Sequence, residues 1–376
     1  MLPKGWDEEA LSAFRERLLS WYHTHKRALP WREDRDPYRV WISETMLQQT
    51  RVDQALPYFE RFMAAFPDVQ TLARASLDQV LKCWEGMGYY ARARNMHRAA
   101  QQIVEGFGGE IPSSMEHLAS LPGIGPYTAA AVLSIAYDRD VAVLDGNVTR
   151  VLCRLFAIRE EPTRSAVKKR LRELAHALLP QGKAAAFNQA MMELGALVCT
   201  PKSLQCASCP VQTFCQAHRS GDPEALPAKS PRKIKPHYDV SAGIIWRDGR
   251  ILIAQRKPEG LLGGLWEFPG GKQEPGETLE GCLKREVREE LDLEIEVERP
   301  FMRVKHAYSH FRITLHTFHC RYVRGDPRAL GCADWRWVCP EELPVYAFPR
   351  ADQKVLQALV GEESDGRLGL FDDLPL

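Results

Sequence analysis

Four cysteines, Cys199, Cys206, Cys209 and Cys215, fall in the run "CTPKSLQCASCPVQTFC" with the spacing C-x6-C-x2-C-x5-C. Four thiolates so close in sequence can enclose one tetrahedral centre, either zinc or an iron–sulfur cluster, and spacing alone does not choose between them. The other six of the ten cysteines are scattered, which favours a metal site over a disulfide framework. Two carboxylates invite different chemistry. Glu44 lies in the largely apolar, amide-rich "VWISETMLQQT", and Asp145, in "AVLDGNVTRVL", stands where it would cap the next helix. A carboxyl with a raised pKa beside one that stays ionised is an acid-plus-stabiliser pair for breaking a glycosidic bond through an oxocarbenium-like state. Read singly, the same residues are an ordinary helical glutamate and an N-cap.

Two further segments have chemical character. In "LPGIGPYTAAAVLSIA", Gly123 and Gly125 let the backbone turn sharply ahead of a helix whose first N–H groups are free, a phosphate site on physical grounds. In "GGKQEPGETLEGCLKREVREELDL", Glu286, Glu289 and Glu290 crowd one short helical stretch behind a Gly-Gly turn. Such a stretch suits a hard divalent cation.

The elements that must position these groups differ in the two parts of the chain. With 376 residues, 45% hydrophobic and 26% charged, the composition is that of an ordinary globular protein long enough for two domains. Residues 7 to about 215 read as helix after helix, starting with Asp7 as a cap for Leu11, Phe14, Leu18 and Tyr22 at helical spacing. The stretch 220–237 is proline-rich and basic and reads as a linker. Beyond it the period changes to two: "DVSAGIIWRDGRILIAQRK" is a hairpin signal, "FMRVKHAYSHFRITLHTFHCRYV" alternates like strands, and "ADQKVLQALV" returns to helix. The histidines of that alternating run, His316 and His319, read as strand surface. The expected fold is therefore multi-domain, all-α followed by α+β, with domains at 1–219 and 238–360 and an exposed tail at 361–376. The first 240 residues carry +5 and the remainder −4, a mild asymmetry compatible with a nucleic-acid partner for the first part. No apolar run approaches a membrane span and the N-terminus is too charged for a signal peptide, so a cytoplasmic location, in bacterial terms the cytosol and nucleoid, is expected.

Taken together, the glycine hairpin, the following Asp145 and the four-cysteine loop resemble the helix-hairpin-helix DNA glycosylases. Within them, "LPWR", "SETMLQQT", "GMGYYARARN", "LPGIGPYTA", "LDGNV" and "FNQAMMELGALVCT" resemble the adenine-DNA glycosylase (MutY) family. The resemblance runs from about residue 25 to 215. It implies that the cysteines hold a [4Fe-4S] cluster, that Glu44 is the general acid and that Asp145 stabilises the developing sugar cation. By the same resemblance Tyr127 and Asn147 support them, Arg27, Trp31, Arg32, Leu47 and Gln189 line the adenine pocket, and Gln49 and Tyr89 wedge into the DNA stack. An enzyme acting on a base inside a duplex must flip it out, which agrees with polar and aromatic wedges. Where lyase-type relatives carry a Schiff-base lysine after the glycine hairpin, this chain has Tyr127, so base excision without strand cleavage is expected.

The acidic segment fits the Nudix box, through Gly271, Glu277, Arg285, Glu286, Val287, Glu289, Glu290 and Leu293, with Asp292 in place of a glycine. In this family such a domain reads 8-oxoguanine in DNA, and "AYSHF" resembles its reading loop, here Tyr308, Ser309 and His310. The nearly intact box leaves Mg²⁺ binding open. The expected function is monofunctional hydrolysis of the N-glycosidic bond of adenine opposite 8-oxoguanine or guanine, by a monomer acting in base excision repair. The rivals are a bifunctional glycosylase-lyase and a nucleotide pyrophosphatase with a DNA-binding domain. In the tail, Leu368, Leu370 and Phe371 resemble the anchors of peptides that bind the replication sliding clamp, against a fold-back onto their own domain.

Overall fold

The computed structural model describes residues 2, 5–228 and 234–364. The tail anchors Leu368, Leu370 and Phe371 lie outside the described residues. Two compact units emerge, residues 1–73 with 98–232 and residues 74–97 with 233–376. Among the described residues no helix is long and apolar enough to cross a membrane.

Up to residue 219 the described elements are helical: α1 (Glu8–His25), α2 (Pro37–Leu47), α3 (Val52–Ala65), α4 (Val69–Arg74), α5 (Leu77–Trp84) and α6 (Ala91–Phe107). They continue as α7 (Met115–Ser120), α8 (Pro126–Ile135), α9 (Gly146–Leu155), α10 (Ser165–Leu178), α11 (Ala184–Leu197) and α12 (Gln216–Arg219). Local chemistry sets many of the starts. Asp7 accepts from the Ala10 amide at 2.9 Å, Asp36 caps α2 just before Pro37, and Ser76 with Gln79 forms a capping box on α5. The hydrophobic stripe of α1, Leu11, Phe14, Leu18 and Tyr22, is buried with residues of α9, α10 and α11 in one core. Helices α9 and α11 both contribute to this core.

The second unit is built on a seven-stranded sheet with β1 (His237–Arg247), β2 (Arg250–Gln255), β3 (Trp266–Glu267), β4 (Gly270–Lys272), β5 (Glu294–Ala307), β6 (Arg312–Arg324) and β7 (Asp334–Val338). The order is β3-β2-β1-β6-β5, with β4 on β1 and β7 on β2; β1 and β6 run parallel and the other pairs antiparallel. The Asp248–Gly249 turn joins β1 to β2 with both residues at positive φ, the geometry that makes Asp-Gly a hairpin turn. Alternation separates two cores: Ile244 and Ile253 pack with Phe348 and Val355 near α14 (Arg350–Ser364), while Ile245 and Leu252 pack with Leu283 and Val287 of α13 (Leu279–Leu291). Asp292, in place of the box glycine, takes the left-handed conformation at the end of α13, a role that Asp tolerates better than most residues.

The reading of His319 as strand surface is corrected. It is wholly buried, Trp246 Nε1 donates to its Nδ1 at 3.2 Å, and burial lowers its pKa to about 4. A strand in mid-sheet with cover on both faces has no solvent side, so period two does not mark polarity there. His316 is partly exposed and bonded to Asp239 at 2.8 Å. Residues 74–97, helical in sequence pattern, join this unit through Lys82 Nζ to the Tyr346 carbonyl (3.0 Å), the Phe348 amide to Glu85 (2.8 Å) and Arg94 to the Gly263 carbonyl (2.7 Å).

Candidate active site

Helix α2 is buried over nearly all of its length, so Glu44 has little water around it and is 5% exposed. The Tyr127 hydroxyl, from the first turn of α8, donates to Glu44 Oε2. Burial raises the Glu44 pKa to about 7; the Tyr127 bond and Arg32 pull it down, and the charge of Asp145 pushes it up. The same burial, with the charges of Glu44 and Asp145, drives Tyr127 well above the ordinary tyrosine value. A carboxyl that still holds its proton near neutrality is suited to act as an acid.

Asp145 is the N-cap of α9, accepting from the Val148 amide at 2.6 Å and from Asn147 Nδ2 at 2.9 Å. Burial raises its pKa; those donors and Arg150 oppose the rise, as do unpaired N–H groups at a helix start for any anion placed there. Arg150 donates to Asn147 Oδ1 (2.8 Å), to the Gly195 carbonyl (2.7 Å) and to the Cys199 carbonyl (2.8 Å). At Gly195 a Cβ would stand 2.7 Å from that of Asn147, so only glycine lets α11 approach α9 this closely.

Glu44, Tyr127, Asp145 and Asn147 border one cavity of about 540 Å³, and Arg27, Trp31, Arg32, Leu47, Gln189 and Gln49 line it too. Thus the expected catalytic and base-pocket residues come together in the first unit. Trp31 is buried edge-on against Phe59, with ring centroids 5.1 Å apart. One residue central to this cavity was not singled out from sequence. Glu193 of α11, 1% exposed, receives Arg27 Nε at 2.8 Å and Arg32 Nη2 at 2.9 Å. Burial alone would raise its pKa, but the hydrogen bonds from Arg27 and Arg32 hold it down at about 2. Its only advance signal was a carboxylate inside the apolar helical run "FNQAMMELGAL". Gln49 is in the left-handed region at φ 62°, which costs a non-glycine residue roughly 1–2 kcal/mol. Gly123 is also left-handed and Gly125 is the N-cap of α8; neither borders the cavity.

The four cysteines are partly buried, and the charges of Cys199, Cys215 and Cys206 all act on Cys209, which burial pushes up to about 12. Among the described residues no three His, Cys, Asp or Glu side chains are grouped as ligands of a metal ion. A test of whether this loop suits an anionic iron–sulfur group comes from Arg154. It is 2% exposed and donates to Cys199 Sγ at 3.2 Å and to the carbonyls of Cys199, Thr200, Pro223 and Leu226. None of these partners is a carboxylate, and a buried cation needs a countercharge. Thiolates supply one, so the donor set and its surroundings fit such a group.

In the second unit, Tyr89 is left-handed at φ 49° and its hydroxyl lies 2.5 Å from Ser309 Oγ. Ser309 and His310 are exposed, while Tyr308 packs on Phe311 (4.8 Å between centroids) and closes a tight turn through its amide to the Phe311 carbonyl. The expected reading loop and one expected wedge therefore adjoin. In the acidic box, Arg285 bonds Glu277 (2.8 Å), Glu286 (2.9 Å) and Glu289 (3.2 Å). Burial raises Glu290 to about 7, helped by Glu267 and Glu286. At Gly271 a Cβ would meet the end of the Glu286 side chain, which would have to shift.

The chain matches two family models: the HhH-GPD superfamily of base excision DNA repair proteins over residues 42–177 and the NUDIX domain over residues 241–358. The adenine DNA glycosylase of Rattus norvegicus is 37% identical over 92% of this chain and 78% of that protein; the human one is 35% identical over 96% and 77%. The Schizosaccharomyces pombe adenine DNA glycosylase is 31% identical over 88% of this chain and 86% of that protein. Among solved structures, a thermostable thymine-DNA glycosylase superposes with a TM-score of 0.51 at 27% identity, covering 56% of this chain and 97% of its own. With its buried glutamate, its helix-capping aspartate and relatives aligned over nearly the whole of its length, the chain belongs to the adenine DNA glycosylase family.

Proposed function

We propose that this chain hydrolyses the N-glycosidic bond of adenine opposite 8-oxoguanine or guanine in duplex DNA, and leaves the abasic strand intact. The observation that carries the reading is a buried carboxyl, Glu44, whose pKa burial raises to about 7, bordering the same cavity as Asp145. In the reaction Glu44 gives its proton to a ring nitrogen of the flipped base as the bond to the sugar carbon breaks. The bonding electrons stay with the base, and ionised Asp145 stabilises the cation left on the sugar. Water then adds to that carbon and loses a proton. Tyr127 holds the Glu44 carboxyl through its hydroxyl and offers no amine for a Schiff base. Glu193 fixes Arg27 and Arg32 as one wall of the base pocket.

Cys199, Cys206, Cys209 and Cys215 would hold a [4Fe-4S] cluster, which supplies covalent closure of the loop and one-electron exchange. In the second unit, Ser309 and His310 read the base opposite, with Tyr89 set against Ser309. Mg²⁺ at Glu286, Glu289 and Glu290 takes no part in this excision, whose acid and aspartate lie in the first unit; Arg285 pairs with Glu286 and Glu289 there. The test is single-turnover excision on an 8-oxoG:A duplex, beside Glu44→Gln and Asp145→Asn, with 8-oxo-dGTP plus Mg²⁺ as the contrasting substrate. Loss of excision in both variants is expected; excision near wild type in either removes that residue from the mechanism.

A further inference from the structure

Behind the base pocket lies a second cavity of about 380 Å³, within the size range of small-molecule sites. The two cavities share Arg27, Leu29, Arg32, Ile135 and Gln189 as lining. One layer of side chains therefore separates them. The members of that layer are held very differently. Arg27 and Arg32 are pinned to Glu193 by contacts of 2.8 and 2.9 Å and act as fixed posts. Leu29 and Ile135 are apolar and buried. Gln189 is tied by its amide to the Ala185 carbonyl of its own helix at 3.0 Å, a single neutral hydrogen bond that costs little to break. Its rotation is the least costly way to join the cavities. On the outer side the lining residues His23, Lys26 and Asp34 are exposed, so the second cavity meets solvent.

We infer that this second cavity is a site for the freed purine base on its way out of the enzyme, with Gln189 as the gate. The inference rests on the function proposed above. Hydrolysis leaves a neutral purine at the inner end of a pocket whose mouth is filled by the abasic strand. A base that stays there is positioned to attack the sugar carbon again, reversing the reaction. A rear exit lets it leave while the duplex is still bound. The lining offers what a flat base with donors and acceptors on its rim requires: carboxylate acceptors in Glu33 and Asp34, polar side chains in Arg35 and His23, and the Tyr22 ring as a wall.

The experiment uses the full chain and an 8-oxoG:A duplex with tritium in the adenine and a second label on the strand. Alkali treatment counts bonds broken; rapid filtration separately counts free adenine and free duplex. Wild type should release adenine as the bond breaks, well before the duplex. Ala186→Trp and His23→Trp fill the outer cavity without touching the base pocket. Each should break the bond at the wild-type rate and release adenine about tenfold more slowly, equivalent to about 1.4 kcal/mol on the exit barrier. His23 is exposed, so its variant remains a test if Ala186→Trp does not fold. Adenine held in wild type until the duplex departs would overturn the exit, as would wild-type release from a folded, cavity-filled variant. No bond breakage in wild type would instead overturn the proposed function, and the exit with it.

Discussion

Glu44→Gln should remove excision and at the same time stabilise the folded chain, but only at alkaline pH. Burial raises Glu44 from 4.5 to about 7. Between those values the folded chain keeps a proton that the unfolded chain has released, so this group's contribution to stability is full below pH 4.5 and is lost as pH rises through about 7. At about 1.4 kcal/mol per unit, the rise corresponds to about 3 kcal/mol of burial penalty on the ionised acid. Glutamine never ionises, and its oxygen still accepts from Tyr127. Its extra amide hydrogens cost about 1–3 kcal/mol if left unpaired, at every pH. The clean quantity is therefore the change with pH of the stability difference between variant and wild type. It should move in favour of the variant by about 2–3 kcal/mol between pH 5 and 8.5. Urea unfolding followed by tryptophan fluorescence would measure it, with buried Trp31 and Trp41 among the reporters. A difference that stays constant from pH 5 to 8.5 would show that Glu44 is not held neutral by its surroundings.

Tyr127→Phe removes a hydrogen bond that lowers the Glu44 pKa, so the alkaline limb of the single-turnover rate should move to higher pH; an unmoved limb would count against that bond. Arg154→Met should reduce iron per chain and soluble yield, with Arg154→Lys between it and wild type, because a buried countercharge is lost; full iron in the Met variant would refute that role. Ser309→Ala and His310→Ala should each cost about 1–3 kcal/mol in preference for 8-oxoG over G opposite adenine, with excision itself retained; an unchanged ratio would sink the reading loop. With Arg285 shared among Glu277, Glu286 and Glu289, no Mg²⁺-dependent phosphate release from 8-oxo-dGTP is expected, and release abolished by Glu289→Gln would contradict this.

What could be read from sequence was chemistry that depends on near neighbours. Asp145 as a cap and the Asp248–Gly249 hairpin each follow from two or three adjacent residues. Glu44 was readable as a candidate acid because its own helical stretch is largely apolar, which favours its burial before any partner is known. Glu193 was not, since its state is set by Arg27 and Arg32, more than 160 residues away. His319 misled for a related reason: its burial comes from layers packed on both faces of the sheet rather than from its strand's own pattern. The association of residues 74–97 with the sheet unit rests on polar contacts to carbonyls and amides of distant loops, for which side-chain type gives no cue.

Helix α9 shows how one short element can serve both kinds of chemistry met in the sequence. Its cap, Asp145, faces the cavity that holds Glu44, while Arg150 and Arg154 lie about 7.5 and 13.5 Å further along its axis. At that distance both arginines reach the first cysteine, Arg150 through the Cys199 carbonyl and Arg154 through the carbonyl and the sulfur. Arg150 also bonds Asn147, which bonds Asp145. The orientation of the Asp145 carboxylate is therefore set from two sides, by the Val148 amide of its own helix and by a side-chain chain that ends on the cysteine loop. A helix is stiff over this length, so the loop's position is carried to the carboxylate with little slack. Cost and benefit are coupled accordingly: the burial that raises the pKa of Asp145 and Glu44 is tolerable only while those partners stay in place.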